Sequence, residues 1–250
     1  MSLMLWPSAL VIGIVLGMFG AGGGMITVPV LIYLAGMPVK EAIAMSLWVV
    51  ACVSIVALAQ HRAWRNLQIK LLITFGVMGM LGSVSGSLLA VYISEHVQVV
   101  LFALLIFLVT WWLSRVELSD RVSVFRFIPA SVTGFVIGLI TGLLGVGGGF
   151  LLVPALIYLG IGHFPTAVAH SLILITLNAV AGGLTYLKTV DFSLPLALAI
   201  SVLAALGTVL GTYLLRKLPG VQLQRAFSMM LVIIGGFMLL RTGLDIGIQH

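Results

Sequence analysis

Charge is what this chain has least of: 12 Lys and Arg and 6 Asp and Glu make up only 7% of its 250 residues. A water-soluble domain needs about a quarter of its residues charged. With 62% hydrophobic residues and a mean hydropathy of +1.29, the solvent for most of the chain must be lipid. Cysteine is nearly absent too. The single Cys52 lies inside an apolar run and excludes an internal disulfide. Also missing are segments of about 10 residues that alternate apolar and polar, the mark of a membrane barrel. Lipid offers backbone groups no partners, so helices remain as the spanning element. All six carboxylates fall in loops or at span ends, which speaks against a cation carrier or cation channel. Neither G-x-G-x-x-G nor a Walker A sequence occurs, and no nucleotide, cofactor or metal is expected. The net charge of +6 does not point to nucleic acid, because the basic residues are spread between apolar runs, where they set membrane orientation.

What is present is a series of uncharged runs, at 3–39, 42–60, 71–94, 97–114, 127–162, 164–187, 192–215 and 226–240. Most are long enough to cross a hydrocarbon core as helices, which takes roughly 20 residues. Residues 3–19 have no basic segment before them and have an internal counterpart, so they are expected to stay in the mature protein rather than act as a signal peptide.

That counterpart emerges when the sequence is slid against itself by 125 residues. Val11-Ile12-Gly13, Gly17, Gly20 and Gly22-Gly23-Gly24 then fall on Val136-Ile137-Gly138, Gly142, Gly145 and Gly147-Gly148-Gly149. The register continues without a gap through Val28-Pro29 on Val153-Pro154 and Ser46-Leu47 on Ser171-Leu172, giving 18 identities in the 37 positions from Val11 to Leu47. Shared apolar composition does not align Gly, Pro, Tyr and Ser. Gly82 and Gly86 also meet Gly207 and Gly211. The expected organisation is an all-α polytopic membrane protein of two tandem repeats, 1–113 and 127–250, joined by a polar linker at 114–126. Each repeat would hold a Gly-broken or re-entrant helix and three spanning helices. The short arms after the glycines, 25–35 and 150–160, reach only about 15 Å at 1.5 Å per residue, half a bilayer.

Charge gives a test of orientation. If both arms of each broken element start and end on one side, the repeats are inverted and nine basic residues share the cytoplasmic side against three outside. Counting each broken element as one span gives parallel repeats and eight against four. The excess of inside charge favours inversion, and inverted repeats with interrupted helices are a common build of secondary transporters.

Three successive glycines deep in an apolar segment cost about 1 kcal/mol each relative to Ala in a helix. Glycine lets the backbone turn its N–H groups toward a cavity, and the short arm that follows presents a helix N-terminus with unpaired donors and partial positive charge. Gly22, Gly23, Gly24, Gly147, Gly148 and Gly149 are therefore candidate contacts for an anion, with no buried Lys or Arg required. Close packing of small residues explains Gly13 with Gly17, Gly138 with Gly142, Gly82 with Gly86 and Gly207 with Gly211. Ser46 and Ser171 are a matched pair that could serve a symmetric site or simply bond back to the preceding helical turn. Asn178 has Val53 as its mirror and could contact the solute or bridge helices. His170, whose mirror is Met45, is the ionisable residue well inside a span. It is a candidate for substrate contact or proton coupling, unless its place five residues after Pro165 puts it at the interface.

The run from Phe19 through Gly24 into Val28-Pro29, its echo at 144–154, the two serines, and His61-Arg62 after the next span resemble the sulfite exporter TauE/SafE family of membrane permeases. The likeness covers nearly the whole chain, although Tyr186-Leu187 stand where the first half has His61-Arg62. It implies carriage of sulfite or an organosulfonate, usually outward, across the bacterial plasma membrane. The expectation is thus a secondary carrier, not an enzyme, whose two halves rock around the anion. Its partners would be the solute and the lipid bilayer, with a homodimer left open. A carrier or channel for another small ion or a carboxylate is the alternative. A membrane enzyme using Ser171 with His170 is disfavoured, because adjacent helical positions point about 100° apart.

Overall fold

The computed structural model describes residues 5–19, 24–60, 67–115, 127–159, 161, 164–215, 229, 232–233 and 235–238. Among the described residues the chain is helical and has no strand. The first half contributes α1 (Leu5–Phe19), α2 (Gly24–Tyr33), α3 (Val39–Gln60), α4 (Ile69–Tyr92) and α5 (Glu95–Arg115). The second contributes α6 (Phe127–Leu144), α7 (Gly149–Tyr158), α8 (Phe164–Tyr186) and α9 (Leu194–Leu215). Four of these, in α3, α4, α8 and α9, are long and apolar enough to cross a membrane, and shorter apolar helices accompany them. The chain is thus a multi-pass membrane protein. Most of the proposed linker, 116–126, lies outside the described residues.

The short arms are helices of 10 residues each, α2 and α7, or about 15 Å. Pro29 sits inside α2, beyond its first turn, so it acts as an interruption and not as an N-terminal residue. It has no N–H to return to the carbonyl of Met25, one turn earlier.

Two helix pairs set the architecture. On α1, a Cβ added at Gly13 would land on the carbonyl oxygen of Ala204 and one at Gly17 on that of Thr208, while Gly207 and Gly211 of α9 stand in the same relation to Leu10 and Ile14. On the other side, Gly82 and Gly86 of α4 meet the carbonyls of Phe135 and Leu139, and Gly138 and Gly142 of α6 meet those of Gly79 and Ser83. Each of these contacts maps onto another when 125 is added to one partner and subtracted from the other. The numbers rise together along both pairs, so α1 runs parallel to α9 and α4 parallel to α6. In lipid, hydrophobic burial does not drive helices together, and close backbone packing through small residues takes over that role.

Between the pairs α3 lies against α8. Leu47 reaches Gly182, and Trp48 reaches Gly183. Further along, Ala57 shares a buried cluster with Leu172. Partner numbers fall as α3 numbers rise, so these two helices are antiparallel. At the ends of α3 and α4, the Lys40 ammonium donates to the Val91 carbonyl at 2.8 Å and the Val39 N–H donates to the Glu95 carboxylate at 3.3 Å. A cation therefore sits at the C-terminus of α4 and an anion at the N-terminus of α3, each complementing the helix dipole.

Replacing Gly138 or Gly211 with Val should cost about 3 kcal/mol or more, because the new side chain would displace a neighbouring backbone and not a movable side chain. Gly236, which has nothing within 4 Å of an added Cβ, should accept Ala without loss. Size-exclusion profiles and thermal melts in detergent would check both, and a Gly138→Val protein as stable as the wild type would contradict the packing described.

Candidate functional site

In the second half the helix break is fully in view. Helix α6 ends as the Gly145 N–H donates to the Thr141 carbonyl at 2.9 Å, and α7 opens with the N–H groups of Leu151 and Leu152 converging on the Gly148 carbonyl at 3.0 Å. Between them the backbone passes through φ +71° at Gly145, +71° at Gly147 and +66° at Gly148. An L side chain is strained in that region, by roughly 1–2 kcal/mol, so these glycines serve a conformation and not only a packing contact. Gly147, Gly148 and Gly149 lie between these two sets of bonds, where α7 begins.

The turn lies at the crossing of α3 and α8. An added Cβ on Gly147 would come within 2.5 Å of Val50 Cγ1 and 3.4 Å of Ile175 Cγ2, and Val50 and Ile175 are themselves 125 positions apart. The second triplet therefore sits where the corresponding helices of the two halves meet. Gly148 is crowded by the Thr141 hydroxyl of its own preceding arm. All residues from Thr141 to Gly149 are buried. Of the first triplet, Gly22 and Gly23 lie outside the described residues, while Gly24 begins α2.

Ser46 holds the second turn from the opposite half of the chain. Its hydroxyl lies 2.7 Å from the Gly145 carbonyl and 2.7 Å from the Ile43 carbonyl in its own helix, sharing one proton between two acceptors. Ser171 makes the matching bond to the Val168 carbonyl at 2.8 Å. Its second acceptor by correspondence, Gly20, lies outside the described residues. Both serines therefore act on backbone, and Ser46 ties α3 to the break between α6 and α7.

His170 is fully buried. The Gln68 N–H donates to its Nε2 at 2.8 Å, so the ring proton is on Nδ1, which donates to the Thr166 carbonyl at 2.7 Å. Both nitrogens are occupied, and the imidazole anchors the residue at the N-terminal boundary of α4 to α8. Asn178 is buried between α8 and α4. Its backbone carbonyl accepts from Ser83 Oγ at 2.7 Å, and its carboxamide faces Gly79.

A polar seam beside Asn178 escapes the sequence. Tyr186 is fully buried and its hydroxyl donates to the Gly142 carbonyl at 3.1 Å. Ser87 Oγ lies 3.4 Å from that same carbonyl and from that of Gly182. The seam thus joins α4, α6 and α8. The only available signal was the four-residue spacing of Ser83 and Ser87, which puts both on one helical face. A small apolar cavity lies on the far side of Ile43 and Leu144 and has Gln98 as its polar wall.

A lipid-solvated helical bundle with a non-helical glycine turn in its interior, opening a half-length helix there, has the build of a membrane transporter. The model of the sulfite exporter TauE/SafE family matches residues 5–238, and the chain belongs to that family. It is 29% identical over 261 residues to a probable membrane transporter protein of Methanocaldococcus jannaschii, covering 95% of this chain and 97% of the relative. It is 27% identical to one from Xylella fastidiosa, with 92% of each covered. The figure is 25% for the probable membrane transporter protein YunE of Bacillus subtilis, with 90% and 93% covered. No solved structure matches. The protein is a membrane transporter and not an enzyme.

Removing the imidazole tests what His170 does. His170→Ala should leave the Gln68 N–H unpaired and lower stability by about 1–3 kcal/mol, while uptake per folded molecule keeps its pH dependence. A flattened pH dependence at unchanged melting temperature would reassign the residue to proton coupling.

Proposed function

We propose that this protein is a secondary carrier that moves a small anion, sulfite or an organosulfonate, across the bacterial plasma membrane by alternating access. The anion is held between two glycine breaks, Gly22–Gly24 and Gly147–Gly149, by backbone N–H groups and by the N-termini of α2 and α7. The observation that carries this is the Gly145–Gly148 turn, which directs three positive-φ glycines to the α3 and α8 crossing and opens α7 there. Non-helical backbone at membrane depth persists only where protein or a water-filled cavity surrounds it. Ser46 and Ser171 complete the site, and Ser46 also holds the second turn through the Gly145 carbonyl.

Supporting the inverted arrangement are the antiparallel course of the corresponding helices α3 and α8 and the exchange of glycine contacts under a shift of 125. The repeats would be those read from the sequence, 1–113 and 127–250. A site built from two N-termini facing each other across an axis suits a solute with several acceptor oxygens. No Asp, Glu, Lys or Arg is among the buried residues described, which favours a single negative charge held by dipoles over a cation. The family to which the chain belongs is described as one of sulfite exporters, in keeping with an oxyanion.

Purified protein in proteoliposomes should take up labelled sulfite or methanesulfonate faster than a dicarboxylate and faster than empty vesicles, with a pH gradient imposed and without it. Gly148→Ala should insert normally and lose uptake by at least about tenfold, since strain of about 1–2 kcal/mol would displace the turn that orients the donors. Equal rates in protein-containing and empty vesicles for all three solutes would end the proposal.

A further inference from the structure

The carboxamide of Asn178 occupies a place shaped for it that gives it no partner. Residue and side chain are fully buried, and neither Nδ2 nor Oδ1 has a hydrogen-bond partner. The space exists because position 79 has no side chain: a Cβ there would lie 2.5 Å from Oδ1, 3.0 Å from Nδ2 and 3.1 Å from Cγ. At the positions 125 residues away, Val53 and Ala204 fill the equivalent space as members of one apolar cluster. The two halves have therefore exchanged volume, a larger polar group against glycine in one and a smaller apolar group against alanine in the other. Of this pair of positions only Asn178 carries the desolvation cost of an unpaired amide, a cost that native interiors rarely leave in place. Asn178 is one helical turn from Ile175, the α8 residue that touches Gly147.

Resting on the anion-carrier reading above, we infer that Asn178 is the specificity-determining contact of the site, and that it selects a singly protonated oxyanion. An amide presents one acceptor oxygen and two donor hydrogens. Its complement is an edge with an acceptor oxygen beside a hydroxyl, as in hydrogen sulfite. A fully ionised oxyanion offers acceptors only and would leave Oδ1 opposed to lone pairs. The protonated form also carries one negative charge, which a site without a buried cation can hold more readily than two. Val53 stands at the mirror position, so the solute is read from one side.

Sulfite is a suitable probe, because its hydrogen form gives way to the dianion across the neutral range, whereas methanesulfonate has no proton to lose there. In proteoliposomes without a pH gradient, wild-type sulfite uptake should rise on the acid side in proportion to hydrogen sulfite, with methanesulfonate as the internal reference. Asn178→Leu, close in shape and with no polar atoms, should cut the ratio of acid-side sulfite to methanesulfonate uptake by about tenfold. It should also raise the melting temperature, because it removes an unpaired buried group. If the Leu protein moves neither solute, a ligand-induced thermal shift reads the same comparison: methanesulfonate stabilisation kept with the sulfite advantage lost upholds the assignment, and methanesulfonate stabilisation lost overturns it. Wild-type uptake that follows the dianion, or an unchanged ratio in Asn178→Leu, overturns the specificity claim while leaving the carrier intact. A wild-type protein that moves neither solute overturns both.

Discussion

The structure depends on places where one helix backbone rests directly on another. Gly13, Gly17, Gly207 and Gly211 join α1 to α9, and Gly82, Gly86, Gly138 and Gly142 join α4 to α6. Inside a bilayer, lipid tails solvate an apolar side chain as well as a neighbouring helix does, so ordinary burial contributes little to association. Close approach supplies dispersion contacts that looser packing would forfeit. Each pair takes one helix from each half of the chain, and neither half could cover its glycine faces alone. With the outer pairs fixed in this way, α3 and α8 are left to cross between them, and the turn after α6 is delivered to that crossing.

The periodicity of the glycines was legible without coordinates, because a small residue every fourth position has one economical explanation in an apolar helix. The break after Leu144 was legible for a similar reason: three glycines in a row are too costly for a continuous helix. Gly24 as the start of α2 and Gly149 as the start of α7 agree with short arms beginning at the triplets. What spacing could not supply was which element each residue would meet. His170 reads as an ionisable residue inside a span or at its interface, and nothing in the spacing tells that the Gln68 N–H would meet its Nε2. Ser46 was evenly balanced between back-bonding and serving a symmetric site; its hydroxyl does bond back to Ile43, and its bond to the Gly145 carbonyl could not be read from spacing. Tyr186 stood out only as a departure from His61, and its bond to the Gly142 carbonyl, 44 positions away, could not be read from the sequence. These are facts of tertiary juxtaposition, and one-dimensional periodicity carries no information about them.

The same glycine contacts constrain how such a molecule could alternate its access. Rocking the two sequence halves against each other as rigid bodies would pull α1 from α9 and α4 from α6, breaking these backbone approaches at once. Bodies that preserve them are the pairs themselves, α1 with α9 and α4 with α6, moving about the α3 and α8 crossing where side chains and not backbones meet. Packed interfaces tend to switch between discrete arrangements because they resist continuous deformation. Several bonds cross this division, among them those from Ser83, Ser87 and Tyr186 and the one from Ser46 on α3 to the Gly145 carbonyl at the end of α6. The Ser46 hydroxyl already shares its proton with the Ile43 carbonyl in its own helix, so releasing Gly145 leaves no buried donor unpaired. A contact with a fallback partner costs little to exchange, whereas the glycine-lined pairs have no alternative neighbour. Under alternating access the glycine contacts would stay fixed while the Ser46 contact could be exchanged, with the non-helical turn on the exchangeable side.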